Sequence, residues 1–252
     1  MTSKIYDDTP EGKKTRLEWY NALEVVWAKH LKIENIQNDN ELLAILKNLT
    51  ELVLENKQIS DLSPISELTN LKCLALDNNQ ITDLSPLSKL INLEELYLPN
   101  NLIFDLTPIS KLANLTYLYL NKNSISDLRP LTGLSNLYKL FLPNNQILDL
   151  KPISGLTNLR YLSLENNQIS DLSPISELIE LEILYLENNC ILNISYLLKL
   201  KNLMKLHLNN NQISDCSPLS KLTNLNILNI QNNKISDFSS LSKLIKLSIF
   251  NK

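Results

Sequence analysis

The sequence predicts an α/β fold: a right-handed solenoid, bent into a horseshoe or arc, with a parallel β-sheet on the concave side, short 3₁₀ or turn segments on the convex side and an N-terminal α-helical cap. Three observations carry that prediction. Leucine returns at a fixed interval, at Leu49, Leu71, Leu93, Leu115, Leu137, Leu159, Leu181, Leu203 and Leu225, each 22 residues after the last. The opening segment of every interval alternates apolar and polar residues, as a half-buried strand does. Ahead of the array, apolar residues recur at helical spacing instead.

From the N-terminus, residues 1–48 read as a helical cap followed by a degenerate half-repeat. Between Pro10 and His30, Leu17, Tyr20, Leu23, Val26 and Trp27 line one face of a helix that would dock on the first coil, because an array must cover the apolar ends of its stack. Trp19 and Trp27 serve that packing. Leu31-Lys-Ile33 and Leu42-Leu43-Ala-Ile45-Leu46 have the shape of an incomplete repeat leading into Leu49.

Residues 49–252 read as nine 22-residue repeats and a truncated tenth strand beginning at Leu247, with cap and array forming one cooperative domain. A representative start, Leu115-Thr-Tyr-Leu118-Tyr-Leu120-Asn-Lys-Asn123-Ser-Ile125, fits the leucine-rich repeat pattern. Alternation sends Leu118 and Leu120 into the core and leaves Tyr117, Tyr119 and Asn121 toward solvent. After each strand comes an asparagine column: Asn79, Asn101, Asn123, Asn145, Asn167, Asn189, Asn211 and Asn233, with Lys57 in its place in the first repeat. A turn enclosed between coils leaves backbone donors and acceptors that an amide can satisfy together, so this column is read as structural.

The outer half of the coil reads like Asp61-Leu62-Ser63-Pro64-Ile65-Ser66. Ser63 is expected to cap a short helical turn and Pro64 to occupy its first position. Pro86, Pro108, Pro130, Pro152, Pro174 and Pro218 repeat the device, whereas Tyr196 and Ser240 replace it. The seventh repeat is therefore expected to differ on its convex side. The last strand would leave a sheet edge available for edge-to-edge contact.

Composition narrows the function. Of 252 residues 44% are hydrophobic and 20% charged, with a net charge of −3, which supports a folded core and argues against a nucleic-acid partner. Only Gly12, Gly133 and Gly155 are present, too few for a phosphate-cradling or dinucleotide loop. Glu11-Gly12-Lys13-Lys14-Thr15 resembles the end of a phosphate loop, but Asp7 stands where its upstream glycine belongs. Cys73, Cys190 and Cys216 lie in separate repeats and read as free thiols. His30 and His207 are too far apart to share a site, so no catalytic constellation, metal centre or cofactor is expected. Asn48-Leu-Thr50, Asn114-Leu-Thr116 and Asn193-Ile-Ser195 read as by-products of the repeat, not as glycosylation sites. With no apolar leader and no run long enough to span a membrane, the expected location is the cytoplasm.

The binding surface is read from the outward strand positions. Tyr97, Tyr119, Phe141, Tyr185 and His207 share one column, interrupted by Ser163; Tyr117, Lys139, Tyr161, Ile183 and Ile227 share its neighbour. Tyrosines gathered on one exposed ribbon have the character of binding hot spots, although cross-strand stacking would also stiffen the sheet. Charge on this face is banded: Glu51, Glu55, Asp77, Glu94 and Glu95, then Lys122, Lys139 and Arg160, then Glu165, Glu182 and Glu187. Such bands either set a partner's register or form an ordinary solvated surface.

The motif running from Leu68 to Leu87, with Leu-Thr-Asn-Leu, Asn-Gln-Ile and Asp-Leu-Ser-Pro recurring down the chain, resembles the 22-residue leucine-rich repeats of bacterial internalins over residues 49–252. It is also similar to the repeats of a eukaryotic phosphatase-one regulatory subunit and of bacterial Roco-type signalling proteins. The resemblance implies protein recognition on the concave sheet, where internalins use aromatic residues to hold host receptors. The helix with Trp19, Tyr20 and Trp27 looks instead like the caps of intracellular bacterial repeat proteins. The leading expectation is a non-enzymatic cytoplasmic scaffold that binds a protein through Tyr97, Tyr117, Tyr119, Lys139, Phe141, Tyr161, Tyr185 and His207. The alternatives are a secreted or cell-surface internalin-like adhesin, or the repeat arm of a larger signalling protein.

Overall fold

The computed structural model describes residues 48–251. Each repeat contributes one three-residue strand: β1 (Glu51–Val53), β2 (Cys73–Ala75), β3 (Glu95–Tyr97), β4 (Tyr117–Tyr119), β5 (Lys139–Phe141), β6 (Tyr161–Ser163), β7 (Ile183–Tyr185), β8 (Lys205–His207), β9 (Ile227–Asn229) and β10 (Ile249–Asn251). The ten strands form one sheet in chain order. Neighbours are parallel and pair residues 22 apart, as in Leu96 with Leu118 and Leu118 with Leu140. The constant interval of the sequence is thus the register of the sheet.

One core runs through the stack. In the fourth repeat Leu115, Leu118, Leu120, Ile125, Leu128, Leu131 and Leu134 are all buried. The first four follow from the strand pattern, and the last three pack from the convex side. Each such side chain contributes roughly 1.5–3 kcal/mol when removed from water. Successive coils repeat the set, so each interior repeat is sandwiched between two copies of its own apolar surface.

The chain leaves each strand through a left-handed turn. Asn56, Asn78, Asn100, Asn144, Asn166, Asn188, Asn210 and Asn232 have φ between 54° and 59°, and Lys122 takes the same position at 56°. Asparagine tolerates this region better than other non-glycine residues, which explains the repeated Asn-Asn pairs. The second asparagine of each pair turns inward. Asn145 Oδ1 accepts from the Ile125 amide at 2.9 Å, and its Nδ2 donates to the carbonyls of Leu120 at 3.0 Å and Leu142 at 3.1 Å. Asn79, Asn101, Asn123, Asn167, Asn189, Asn211 and Asn233 make the same set.

A further asparagine column was not separated from its leucine neighbours by sequence reasoning. Asn92, Asn114, Asn136, Asn158, Asn202 and Asn224 each donate Nδ2 to a carbonyl of the preceding coil at 2.8–3.1 Å. Asn114 is thereby tied into the scaffold.

The convex side carries the short 3₁₀ segments expected of it, while the fold class and the residue that caps these segments are corrected. The α/β class with an α-helical cap is replaced: among the described residues every helix is a 3₁₀ segment of three to five residues, from Ser63–Ile65 to Ser239–Lys243. The physical reason is space, since each outer segment returns to a buried leucine within one short turn, below the length at which an α-helix sustains itself. The helix expected over Pro10 to His30 lies outside the described residues, as does nearly all of the expected unit 1–48.

The cap is also not the serine. In Ser63–Ile65 no side chain caps from the preceding position, and Asp61 Oδ1 instead accepts from the Ser63 amide at 2.8 Å. Asp83, Asp105, Asp127, Asp149, Asp171, Asp215 and Asp237 do the same, and Asn193 substitutes in the seventh repeat. That repeat, lacking proline, still forms a five-residue segment, Ser195–Lys199, equal in length to the proline-bearing Ser85–Lys89 and Ser217–Lys221. The aspartate position, not proline, is the common element.

Candidate functional site

Strand pairing places the outward side chains of successive repeats in straight columns about 4.8 Å apart. In the column of the last strand residue, Tyr97 and Tyr119 stack with ring centroids 4.8 Å apart, and Tyr119 and Phe141 stack at 4.5 Å with planes only 6° from parallel. Two strands further on, Tyr185 and His207 meet edge to face, with ring centroids 4.9 Å apart. Buried Ser163 lies between these two groups.

The neighbouring column is organised around a cation. Lys139 Nζ lies 4.9 Å from the ring centroids of both Tyr117 and Tyr161, on the strands to either side. Lys205 Nζ lies 5.0 Å from the Tyr185 ring. Tyr138, one residue before β5 and absent from the expected binding set, contacts Tyr117 at 6.1 Å and Tyr161 at 5.5 Å. Its signal was its place in the column just before the strand, where Thr116 and Arg160 are its neighbours. Beside these rings Thr116, Asn136, Tyr138, Asn158 and Arg160 border an open recess of about 510 Å³.

Much of the charge banding is compensated within the chain. Lys72 pairs with Glu94 at 2.8 Å, and Arg160 with Glu182 at 2.8 Å and Glu180 at 3.2 Å. Lys122 belongs to the left-handed turn. The acids of the column following the strand are less well served. Burial, reinforced by Glu55, pushes the Asp77 carboxyl up to about 6, and its Oδ1 is enclosed without a hydrogen-bond partner. Burial also raises Glu165, which accepts a hydrogen bond from Ser163 Oγ. His207 Nδ1 stands 3.5 Å from Glu187 Oε1.

The same physics limits chemistry on this face. Burial, together with Glu95 and Glu51, pushes the Cys73 thiol up to about 11, so it stays protonated near neutrality and is a poor nucleophile. Burial and the hydrogen bond from Tyr97 Oη to Glu95 Oε2, 2.6 Å long, raise the Tyr97 phenol. Among the described residues no group of three or more His, Cys, Asp or Glu side chains could hold a metal, and no helix is long and apolar enough to cross a membrane.

Comparison with known proteins agrees with this architecture. The family model for leucine-rich repeats in pairs of copies matches residues 69–114, 113–156, 157–199 and 201–243. An internalin C2 of Listeria monocytogenes is 42% identical, with 74% of this chain and 83% of that one covered at a TM-score of 0.71. An internalin (inlF) of the same organism is 34% identical over 83% of this chain and 75% of its own, at 0.58. The functional domain of InlJ, also from Listeria monocytogenes, is 26% identical over 81% and 49%, at 0.65. No curated protein sequence matches significantly.

This kinship overturns the cytoplasmic expectation, because internalin-like relatives are secreted or cell-surface proteins. Members of the family are non-catalytic protein–protein interaction modules. A sheet built one strand per coil and this degree of identity to bacterial internalins together mean that the chain belongs to the internalin-like family of leucine-rich repeat proteins.

Proposed function

We propose that this chain is a secreted or cell-surface adhesin that holds a protein partner on the open face of its sheet. The observation that carries the reading is the uninterrupted stack of Tyr97, Tyr119 and Phe141, at 4.8 and 4.5 Å. Rings already stacked give up little conformational freedom on binding, and they present a broad apolar area with polar tips. Tyr117, Lys139 and Tyr161 flank the stack on one side. Tyr185 and His207 extend the footprint toward later repeats.

The test is binding of the fluorescently labelled chain to intact animal cells, compared with a Tyr97→Ala, Tyr119→Ala, Phe141→Ala variant of matched thermal midpoint. Saturable binding that weakens at least about tenfold in the variant is expected, since hot-spot truncation costs about 2 kcal/mol or more. Equal binding by the two would move the contact off this face.

A further inference from the structure

The edge where the chain enters the strands departs from the repeat at one place. In the column just before the strands, Tyr138 is the single aromatic residue, with Thr116 and Arg160 as its neighbours. Two residues earlier in each coil runs the exposed asparagine column, and in the coil after Arg160 it gives way to Glu180. The coil needs neither ring nor charge here, since Tyr138 and Arg160 are only half-buried while the leucines before them, Leu137 and Leu159, fill the core. All three departures border the open recess of about 510 Å³, a size within the roughly 300–1,000 Å³ of small-molecule sites.

Part of its lining is aromatic: the rings of Tyr117 and Tyr138 stand 6.1 Å apart with planes inclined at 54°. The rest is polar and already oriented. Asn136 and Asn158 each donate Nδ2 to a carbonyl of the preceding coil at 2.9 Å. Those bonds fix the two amide planes, and among the described residues neither Oδ1 accepts a hydrogen bond. Thr116 Oγ1 donates to the Glu94 carbonyl at 2.9 Å and keeps its lone pairs. Arg160 is held by Glu180 at 3.2 Å and Glu182 at 2.8 Å, so its charge is met from within the chain while guanidinium N–H groups remain. The recess therefore combines ring surface, fixed acceptors and a few donors, with no charge left to neutralise. A second open recess of about 380 Å³, which Arg160 also borders, lacks this combination: no aromatic residue lines it, and Asn224 Oδ1 accepts from Lys246 Nζ at 2.8 Å.

We infer that the recess beside Tyr138 binds a neutral hexopyranose unit of a glycan. The face of a pyranose is made of C–H groups, which pack on the electron-rich face of a tyrosine ring. Its rim carries hydroxyls, each one a donor and an acceptor, so it can give hydrogens to Asn136 and Asn158 and take them from Arg160. A sugar carboxylate would meet Glu180 and Glu182 beside an arginine that they already hold. An apolar ligand would cover the fixed acceptors without satisfying them, which is costly. A peptide backbone brings only one donor per residue, fewer than this acceptor-rich lining can use. The inference goes beyond protein binding on the open face and does not depend on it.

The experiment titrates the methyl pyranosides of glucose, galactose and mannose, one at a time, into the ¹⁵N-labelled full chain. The signals followed are the backbone amides of Tyr138 and Arg160 and the side-chain amides of Asn136 and Asn158. At least one glycoside is expected to shift them saturably, with a Kd on the order of millimolar, which is weak binding on the affinity scale. Sorbitol, a polyol without a ring face, and the methyl glucuronide, which adds a carboxylate, are each expected to bind at least about tenfold more weakly. Tyr138→Ala is expected to abolish the response. Should that variant misfold, Asn158→Ala at an exposed position is expected to weaken the glycoside about tenfold. No saturable shift with any of the glycosides, an equal response to sorbitol or the glucuronide, or unchanged affinity in either folded variant would overturn the inference. Stronger shifts of the same signals by acetyl-trialanine-amide would overturn it in favour of a peptide. The glycosides read this recess alone, whereas the cell-binding assay reads the Tyr97–Phe141 stack, so either can fail while the other stands.

Discussion

Lys122 holds, at φ 56°, the left-handed position that asparagine occupies in the other repeats. A long side chain there bears a steric cost that asparagine bears less. Lys122→Asn is expected to stabilise the chain by about 0.5–1 kcal/mol, seen as a higher urea midpoint at unchanged slope. Its inward neighbour behaves differently. Asn145→Ala strands the Ile125 amide and deprives the carbonyls of Leu120 and Leu142, and is expected to cost about 2–3 kcal/mol. Asn136→Ala removes a single exposed bond to the Ala113 carbonyl and should cost under about 1 kcal/mol, so the two midpoints separate buried from exposed columns.

Asp77 makes a prediction about pH. Its carboxyl is raised from 3.8 to about 6, so the folded chain retains that proton to higher pH than the unfolded chain does. The stability it contributes is complete below pH about 4 and is lost as pH climbs to about 6. Asp77→Asn removes that loss: the variant should match the parent near pH 4 and exceed it at pH 7, by less than about 1 kcal/mol because solvent screens the group. Urea midpoints at the two pH values give the answer, and a gain at pH 4 alone would contradict it.

At the scale of the element, the 3₁₀ turns depend on the aspartate two residues before the accepting amide. Hydrogen bonds from Ser85, hydroxyl and amide, hold the Asp83 carboxyl below the ordinary range, so its contribution is present above pH about 4 and lost as pH falls through the lowered value, opposite in sign to Asp77. Asp83→Ala is expected to cost about 1 kcal/mol, as other helix caps do, with Asp83→Asn restoring most of it; thermal unfolding of the pair checks both.

The strands were legible because three features coincide in them: the leucine interval, the period of two and the inward asparagine. The outer turns were less so. Ser-Pro is a familiar helix start, and it drew attention from Asp61, whose carboxylate supplies the bond. Most of the outward ring columns were also readable, since β-residues separated by one repeat must be neighbours. What sequence alone left undetermined was plane and distance: that Tyr119 and Phe141 lie parallel, that Lys139 sits between two rings, and that Tyr138 joins them. Those depend on rotamers chosen among neighbours and have no periodic trace.

For the whole molecule, stability is spread along one axis. Leu140 is fully buried between the equivalent leucines of two adjoining strands. Leu140→Ala is expected to cost about 3–5 kcal/mol, and because coils contact chiefly their neighbours, the loss should appear in hydrogen exchange as earlier opening of the repeats around β5. Uniformly faster exchange from β1 to β10 would instead mean that the array unfolds as one unit.

The strict 22-residue register has a hereditary meaning. Coding units of one length laid end to end can exchange out of step, and most proteins would not survive the outcome. Here, any exchange between equivalent positions of two repeats deletes or duplicates whole coils and leaves every junction a familiar one. The leucine and asparagine columns close again across it, while the sequence of outward side chains is cut and rejoined. Such a gene can try new surfaces by recombination without having to rediscover how to fold.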